Sequence, residues 1–210
     1  MKRVLYLCAA ALFGSMAEAQ AISNPEFDCM GDRTSQVALE ATGETMTVVS
    51  RMSPDARFGS DGDVIGYDWP VFHQQIVRAD GVVLINYEAR RLYDDVVEIS
   101  CEARLDAAHT ELRDTLMRAK RLNTDDDRIM SQAVRMGQLT ACLRNADACN
   151  VEPHYVTPSD ALRRYGADRF EELVNGAPIM ISVYETAYSL ATYAYEPETE
   201  FVLLVETESR

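Results

Sequence analysis

The N-terminus has the three parts of a secretory signal peptide. Two basic residues follow the initiator methionine, an apolar stretch covers residues 4–13, and the small-residue pattern Ala17-Glu18-Ala19 comes next. This order is typical of an exported protein whose leader is cleaved after a small residue. The apolar stretch is shorter than the roughly 20 residues that span a bilayer. We therefore expect residues 1–19 to be removed, with cleavage after Ala21 as the alternative, and residues 20–210 to be periplasmic or secreted in a bacterium.

Export determines how the cysteines are interpreted. Removing the leader also removes Cys8 and leaves an even number of cysteines for an oxidising compartment: Cys29, Cys101, Cys142 and Cys149. Such cysteines predict disulfides, and four of them allow three pairings. We favour Cys29 with Cys101 and Cys142 with Cys149, because the last two are close in sequence across a predicted helix end. Zinc sites usually contain C-x-x-C pairs, which this chain lacks, so we expect no metal and no cofactor.

The charge of the chain narrows the class of partner. The net charge is −14, and loss of two basic residues and Glu18 with the leader makes it −15. An acidic domain repels the phosphate backbone of nucleic acids and anionic lipid surfaces. No second long apolar run follows the leader. We therefore expect a protein or a small ligand of unknown identity as the partner, with no nucleic acid and no membrane insertion after cleavage.

The first half of the chain has the patterns of β-strands. Residues 27–51 predict two strands joined by a tight turn, and the turn Ala79-Asp80-Gly81 between two apolar runs predicts a second hairpin. Residues 53–68 are polar and glycine-rich, and we interpret them as a loop. Residues 92–101 fit both a strand and a helix, and the strand is favoured.

The middle of the chain changes to helical periodicity. Apolar residues from 105 to 119 predict one helix, and a second helix is expected from residue 123 or 124 to near Cys142. The apolar face predicted for this second helix consists of Met130, Val134, Gly137 and Ala141. Thr157-Pro158-Ser159-Asp160 predicts another helix start, with an N-cap, a first-turn proline and a capping-box acid. Gly166 is expected to split that segment before Asn175-Gly176 ends it.

The chain closes with strand-like runs at residues 179–184, 190–195 and 201–205. The order of strands, helices and strands predicts an α+β fold with a mostly antiparallel sheet, a central run of three to four helices and two disulfides. We expect one exported domain, and a boundary near residue 103 is the alternative.

Sequence motifs for catalysis are sparse. The chain has three histidines, His73, His109 and His154, but no G-x-S-x-G motif that would mark a serine nucleophile. The acidic runs at residues 60–63 and 125–127 are better explained as an exposed turn and as helix capping than as cation sites. His154 is kept as a candidate binding residue because it lies in a predicted loop, and loops often carry function. Aromatic residues in the last strands are the other binding candidates: Tyr184, Tyr188, Tyr193 and Tyr195.

These observations favour an exported, non-enzymatic binding or interaction protein whose ligand the sequence does not identify. The alternative is a hydrolase with its site in a cleft between the sheet and the helices. A cleft that gathers a histidine, an acid and a nucleophile would favour the enzyme. A flat aromatic face without such groups would favour binding.

Overall fold

The computed structural model describes residues 30–90, 100–122, 127–150, 157–186 and 189–209. The predicted signal peptide and Cys29 lie outside the described residues. Within the described part, the chain forms two antiparallel sheets, with helices between them in sequence. The predicted α+β class with antiparallel sheets is therefore confirmed. Two separate sheets are present where one was expected, and none of the described helices is long and apolar enough to cross a membrane.

The first sheet is a four-stranded meander with neighbours in chain order. Its strands are β1 (Gly31–Ala38), β2 (Thr45–Phe58), β3 (Val64–Arg78) and β4 (Val83–Arg90). Alternate residues point to opposite faces, so the apolar ones collect on an inner face while the outer face carries polar side chains. Both predicted hairpins are confirmed, and the second turns at Gly81, whose φ of 89° suits a residue without a Cβ.

The predicted loop over residues 53–68 is wrong for most of its length. Strand β2 continues to Phe58 and β3 begins at Val64, so a turn of five residues remains. The register shifts between Ser53 and Asp55, where a bulge accommodates Pro54. The two strands pair with each other in a long hairpin whose side chains are largely polar or exposed. An exposed hairpin of this kind needs no hydrophobic alternation, so the sequence pattern did not reveal it.

Helix α1 (Cys101–Arg118) covers the inner face of the first sheet. It begins after Ser100, whose side chain accepts a hydrogen bond from the amide of Ala103. The predicted helix over residues 105–119 is thereby confirmed, and its buried apolar residues are Leu105, Ala108, Leu112 and Leu116. The strand favoured for residues 92–101 is wrong at Cys101, which opens the helix, and residues 91–99 lie outside the described part.

The second sheet combines the three C-terminal strands with two very short ones. Its members are β5 (Lys120–Arg121), β6 (Thr157–Pro158), β7 (Ile179–Thr186), β8 (Ser189–Glu196) and β9 (Phe201–Ser209). The order across the sheet is β5-β7-β8-β9-β6, and every pair is antiparallel. The three predicted C-terminal strands are confirmed, and β7 and β8 also contribute to the core beneath α1.

Three further helices pack with the second sheet: α2 (Asp127–Arg144), α3 (Asp160–Tyr165) and α4 (Ala167–Asn175). A 3-10 helix, Ala146–Asn150, follows α2. Their apolar side chains join strands β7 to β9 in a second core cluster, which includes Met136, Leu139, Leu162, Phe170 and Leu173. The molecule thus has one core under α1 and another under α2 to α4.

The start of α3 differs from the prediction. The N-cap is Ser159, whose hydroxyl accepts a hydrogen bond from the amide of Leu162 at 2.9 Å and donates one to the carbonyl of Leu204. Pro158 lies in β6 and not in the first helical turn, because the strand pairing holds it in extended backbone. The predicted break at Gly166 is confirmed, since its φ of 90° separates α3 from α4.

The structure shows one of the two predicted disulfides. Cys142 and Cys149 are bonded, with their Cα atoms 4.7 Å apart, and they join the end of α2 to the 3-10 helix. Cys101 is also disulfide-bonded. Because its expected partner Cys29 lies outside the described residues, that pairing stays a prediction.

Candidate functional site

Helix α2 exposes the apolar face that the sequence suggested was in the core. Val134 is 52 % exposed, and Gly137 and Ala141 are also exposed. The buried positions of the helix are Met136, Leu139 and Cys142. The prediction is therefore wrong for Val134, Gly137 and Ala141, while the side chain of Met130 lies outside the described part.

A groove of about 700 Å³ lies between α2 and α4, and Gly137 and Ala141 of α2 line it together with Met136. This volume falls within the range of roughly 300–1,000 Å³ that is typical of small-molecule sites. Leu122 directly follows β5, Ala177 lies just before β7, and Val174 belongs to α4. The lining combines apolar side chains with the polar ones of Thr140, Arg144, Glu171 and Asn175, so the groove offers both apolar contact and hydrogen-bonding groups to a ligand.

One end of the groove carries a group of charges. Arg144, in the last turn of α2, is paired with Glu171 at 2.6 Å and with Asp168 at 3.2 Å, both from α4. These two carboxylates raise the pKa of the guanidinium, and the hydrogen bond that Arg144 donates to Glu171 is the largest cause. Arg144 and Glu171 line the groove and offset each other in charge, and Asp168 adds one negative charge beside this end.

Gly137 determines the depth of the groove. A Cβ at this position would meet no heavy atom within 4 Å, so nothing in the fold requires a glycine there. Glycine in the middle of a helix costs about 1 kcal/mol relative to alanine. Gly137 thus lowers the stability of the helix at a position where a side chain would fit. We interpret it as leaving space in the groove for a ligand.

A chain of buried polar side chains crosses the inner face of the first sheet. His109 of α1 lies 2.9 Å from the hydroxyl of Ser35 through Nε2 and 3.0 Å from that of Ser50 through Nδ1. Gln74 donates through Nε2 to Ser50 at 3.3 Å, and its Oε1 accepts from the hydroxyl of Tyr87. Burial is the largest cause that lowers the pKa of His109.

This polar chain does not open into a cleft. The cavity beside Gln74, Tyr87 and Tyr184 has a volume of about 10 Å³. Such a space holds about one water molecule. The hydrogen bonds of these side chains therefore stabilise the contact between α1 and the sheet.

The candidate tyrosines are not gathered on one exposed face. Tyr195 is 1 % exposed and donates a hydrogen bond to Glu44 at 3.0 Å. Burial raises the pKa of both Tyr195 and Tyr193 to about 12. Tyr193 and Tyr184 are half-buried and pack against the first core cluster. Packing accounts for these three rings, and a binding role for them stays a prediction.

The other predicted site residues are dispersed or undescribed. Tyr188, His154 and residues 125–126 lie outside the described part of the chain. At the 60–63 turn, Asp61 accepts a hydrogen bond from the amide of Asp63, as an exposed turn predicts. Across the part of the chain that the structure describes, no group of His, Cys, Asp and Glu side chains is placed to hold a metal ion.

Comparisons with protein families, with curated proteins and with solved structures find no match for this chain. The functional argument therefore depends on the geometry of the described residues.

Sequence reasoning missed the groove for a physical reason. The 3.6-residue period reports which residues share a helix face, but not whether another element covers that face. Gly137 was the available signal, because a glycine in the middle of a strong helix often has a packing or functional reason.

Proposed function

We propose that this chain is an exported binding protein whose ligand occupies the groove between α2 and α4. The observation that carries the proposal is a groove of about 700 Å³ between α2 and α4, lined by Gly137 and Ala141 among other residues. Grooves of this volume are typical of ligand sites. The disulfide at the end of α2 supports a preformed groove, because it restrains the turn next to Arg144.

The ligand that suits this groove is an apolar segment of a partner protein, flanked by basic residues. Small side chains at Gly137 and Ala141 leave room for larger apolar side chains of a partner. The negative end beside Arg144 and the net charge of −14 both favour a cationic flank. The alternative of a hydrolase in a cleft has less support, because the cavity between the first sheet and α1 holds about one water molecule.

The experiment fills the groove from within. Leucine at position 137 meets no neighbouring atom at its Cβ, so Gly137→Leu should fold while its side chain occupies the ligand's place. The matched control is Asp114→Leu, which adds the same side chain at an exposed position of α1. Binding of Nile red, a neutral apolar dye, is titrated by fluorescence with the exported chain and both variants.

We expect Gly137→Leu to weaken dye binding by about tenfold or more, which corresponds to about 1.4 kcal/mol, while Asp114→Leu binds as the parent does. A designed apolar peptide with lysine flanks should displace the dye better than the same peptide with glutamate flanks. Equal dye affinity in all three proteins, with circular dichroism confirming that each is folded, would overturn the proposal.

A further inference from the structure

The two faces of the first sheet each hold a serine hydrogen-bonded to a histidine. On the inner face the pair is Ser35 and His109. On the outer face Ser53 lies 3.1 Å from Nε2 of His73, and Nδ1 of the same ring lies 3.5 Å from Oε1 of Glu88. The outer cluster, Ser53, His73 and Glu88, therefore has a nucleophile, a base and an acid in the order that serine hydrolases use.

Neighbouring strands hold the outer cluster in place. His73 and Glu88 are direct cross-strand partners on β3 and β4. Ser53 is on β2 at the bulge, two positions from Arg51, which is the direct partner of His73. Arg90 is paired with Oε2 of Glu88 at 3.2 Å and with Asp55 at 2.7 Å. One oxygen of Glu88 therefore faces His73 while Arg90 holds the other. Groups on paired strands keep their spacing better than groups on loops.

The positions of the protons distinguish the two serines. A carboxylate only accepts, and Oε1 of Glu88 lies 3.5 Å from Nδ1 of His73, so its charge favours the tautomer with the proton on Nδ1. Nε2 of His73 is then an acceptor, and the hydroxyl of Ser53 donates to it. This is the arrangement in which the ring can remove the serine proton.

The inner pair has the opposite arrangement. The carbonyl of Ala108 only accepts, so Nε2 of Gln74 faces it at 3.0 Å and donates its second proton to Ser50. The hydroxyl of Ser50 is then left to donate to Nδ1 of His109. The ring proton of His109 is therefore on Nε2 and is donated to Ser35, so this ring cannot act as the base for that serine.

We propose that Ser53 is a nucleophile toward carboxylic esters, with His73 as its base and Glu88 as the residue that positions the base. The Ser53 oxygen bonds to the carbonyl carbon while its proton passes to Nε2 of His73, and the ester C–O bond breaks as the leaving alcohol takes that proton. Water then attacks the acyl carbon, His73 takes and returns a proton, and the carboxylic acid leaves with Ser53 restored.

The open position of the cluster determines which esters fit. The side chains of His73 and Glu88 are 42 % and 52 % exposed, so a bulky or polymeric ester can reach Ser53 without entering a pocket. Arg51 projects from the same exposed face, directly across from His73. Directly opposed Cβ atoms lie about 5 Å apart, so its guanidinium can reach the oxygen on which negative charge develops.

A tagged fluorophosphonate tests the proposal directly. The probe forms a bond from Ser53 to phosphorus, fluoride leaves, and the serine proton passes through His73 to water. We expect a single adduct that peptide mapping by mass spectrometry places on Ser53. Ser53→Ala should remove the adduct, and Glu88→Gln should slow labelling by about tenfold or more, because the amide does not hold the ring tautomer as firmly.

Ser35→Ala is the matched control, because it removes the other serine that is hydrogen-bonded to a histidine. It should leave the labelling rate and the hydrolysis of p-nitrophenyl butyrate unchanged, whereas Ser53→Ala should lower kcat/KM for that ester to the background rate. Labelling of the parent no faster than Ser53→Ala, or an adduct that disappears in Ser35→Ala, would overturn the proposal. Thermal melts confirm that each variant is folded.

Discussion

Replacing Gln74 with leucine removes three hydrogen bonds from the interior of the first sheet. Its amide donates to Ser50 at 3.3 Å and to the carbonyl of Ala108 at 3.0 Å, and it accepts from the hydroxyl of Tyr87. Three buried bonds at about 1 kcal/mol each give a loss of about 3 kcal/mol. The greater apolar surface of leucine returns about 1 kcal/mol. We expect the free energy of unfolding to fall by about 2 kcal/mol.

The adjacent glutamine supplies the control. Gln75 points to the outer face of the same strand, where it is half-buried and hydrogen-bonded to Asn86 at 3.2 Å. Gln75→Leu makes the same chemical change and should alter the free energy of unfolding by less than about 0.5 kcal/mol.

Urea unfolding, followed by far-ultraviolet circular dichroism, measures both variants against the parent. A Gln74→Leu variant within about 0.5 kcal/mol of the parent would show that the buried polar chain contributes little. Equal losses in the two variants would show that burial of the amide is not what matters.

Three further predictions concern a histidine, a disulfide and a glycine. Burial first, and then the charge of Arg113, lower the pKa of His109; the unfolded chain therefore takes up a proton near pH 6.5 when the folded chain does not. The urea midpoint should fall as pH drops below about 6.5, and His109→Asn should lessen that fall; an unchanged pH profile would contradict this cause. Replacing Cys142 and Cys149 together with alanine should lower the free energy of unfolding by about 2.5 kcal/mol and Tm by about 5–10 °C, measured by calorimetry. A smaller loss of stability when the disulfide of the parent is reduced would argue against this prediction. Gly137→Ala should raise the free energy of unfolding by about 1 kcal/mol, and a loss in urea unfolding would mean that the site is not open.

Local patterns were enough to predict most of the elements. The period of two in β1 and β2, the turn at Gly81 and the period of 3.6 in α1 each depend on neighbouring residues, and the structure contains all of these elements. The predictions failed where residues that are distant in sequence determine the local structure. The hairpin beyond Ser53 is held by pairing between its own two polar strands, and Pro158 is held by its pairing with β9.

The candidate sites were harder to predict than the fold. His73 and Glu88 are 15 positions apart in sequence and Ser53 is 20 positions from His73, so only the strand register brings them together. That register is set by the pairing of β2, β3 and β4 along their whole length, which no local motif marks. Likewise, Tyr195 looked like a binding residue because strand aromatics suit both cores and interfaces, and the packing of the two halves of the chain decided its burial.

The short strands at both ends of the second sheet protect the folded molecule against pairing with other chains. An open sheet edge with free amides can recruit a strand from another chain and start aggregation. Here β5 and β6 each have two residues as described, and the proline in β6 has no amide hydrogen to offer. Neither edge gives an incoming strand a long row of partners. We infer that the three long strands between them can stay largely apolar without making the chain prone to aggregation at high concentration.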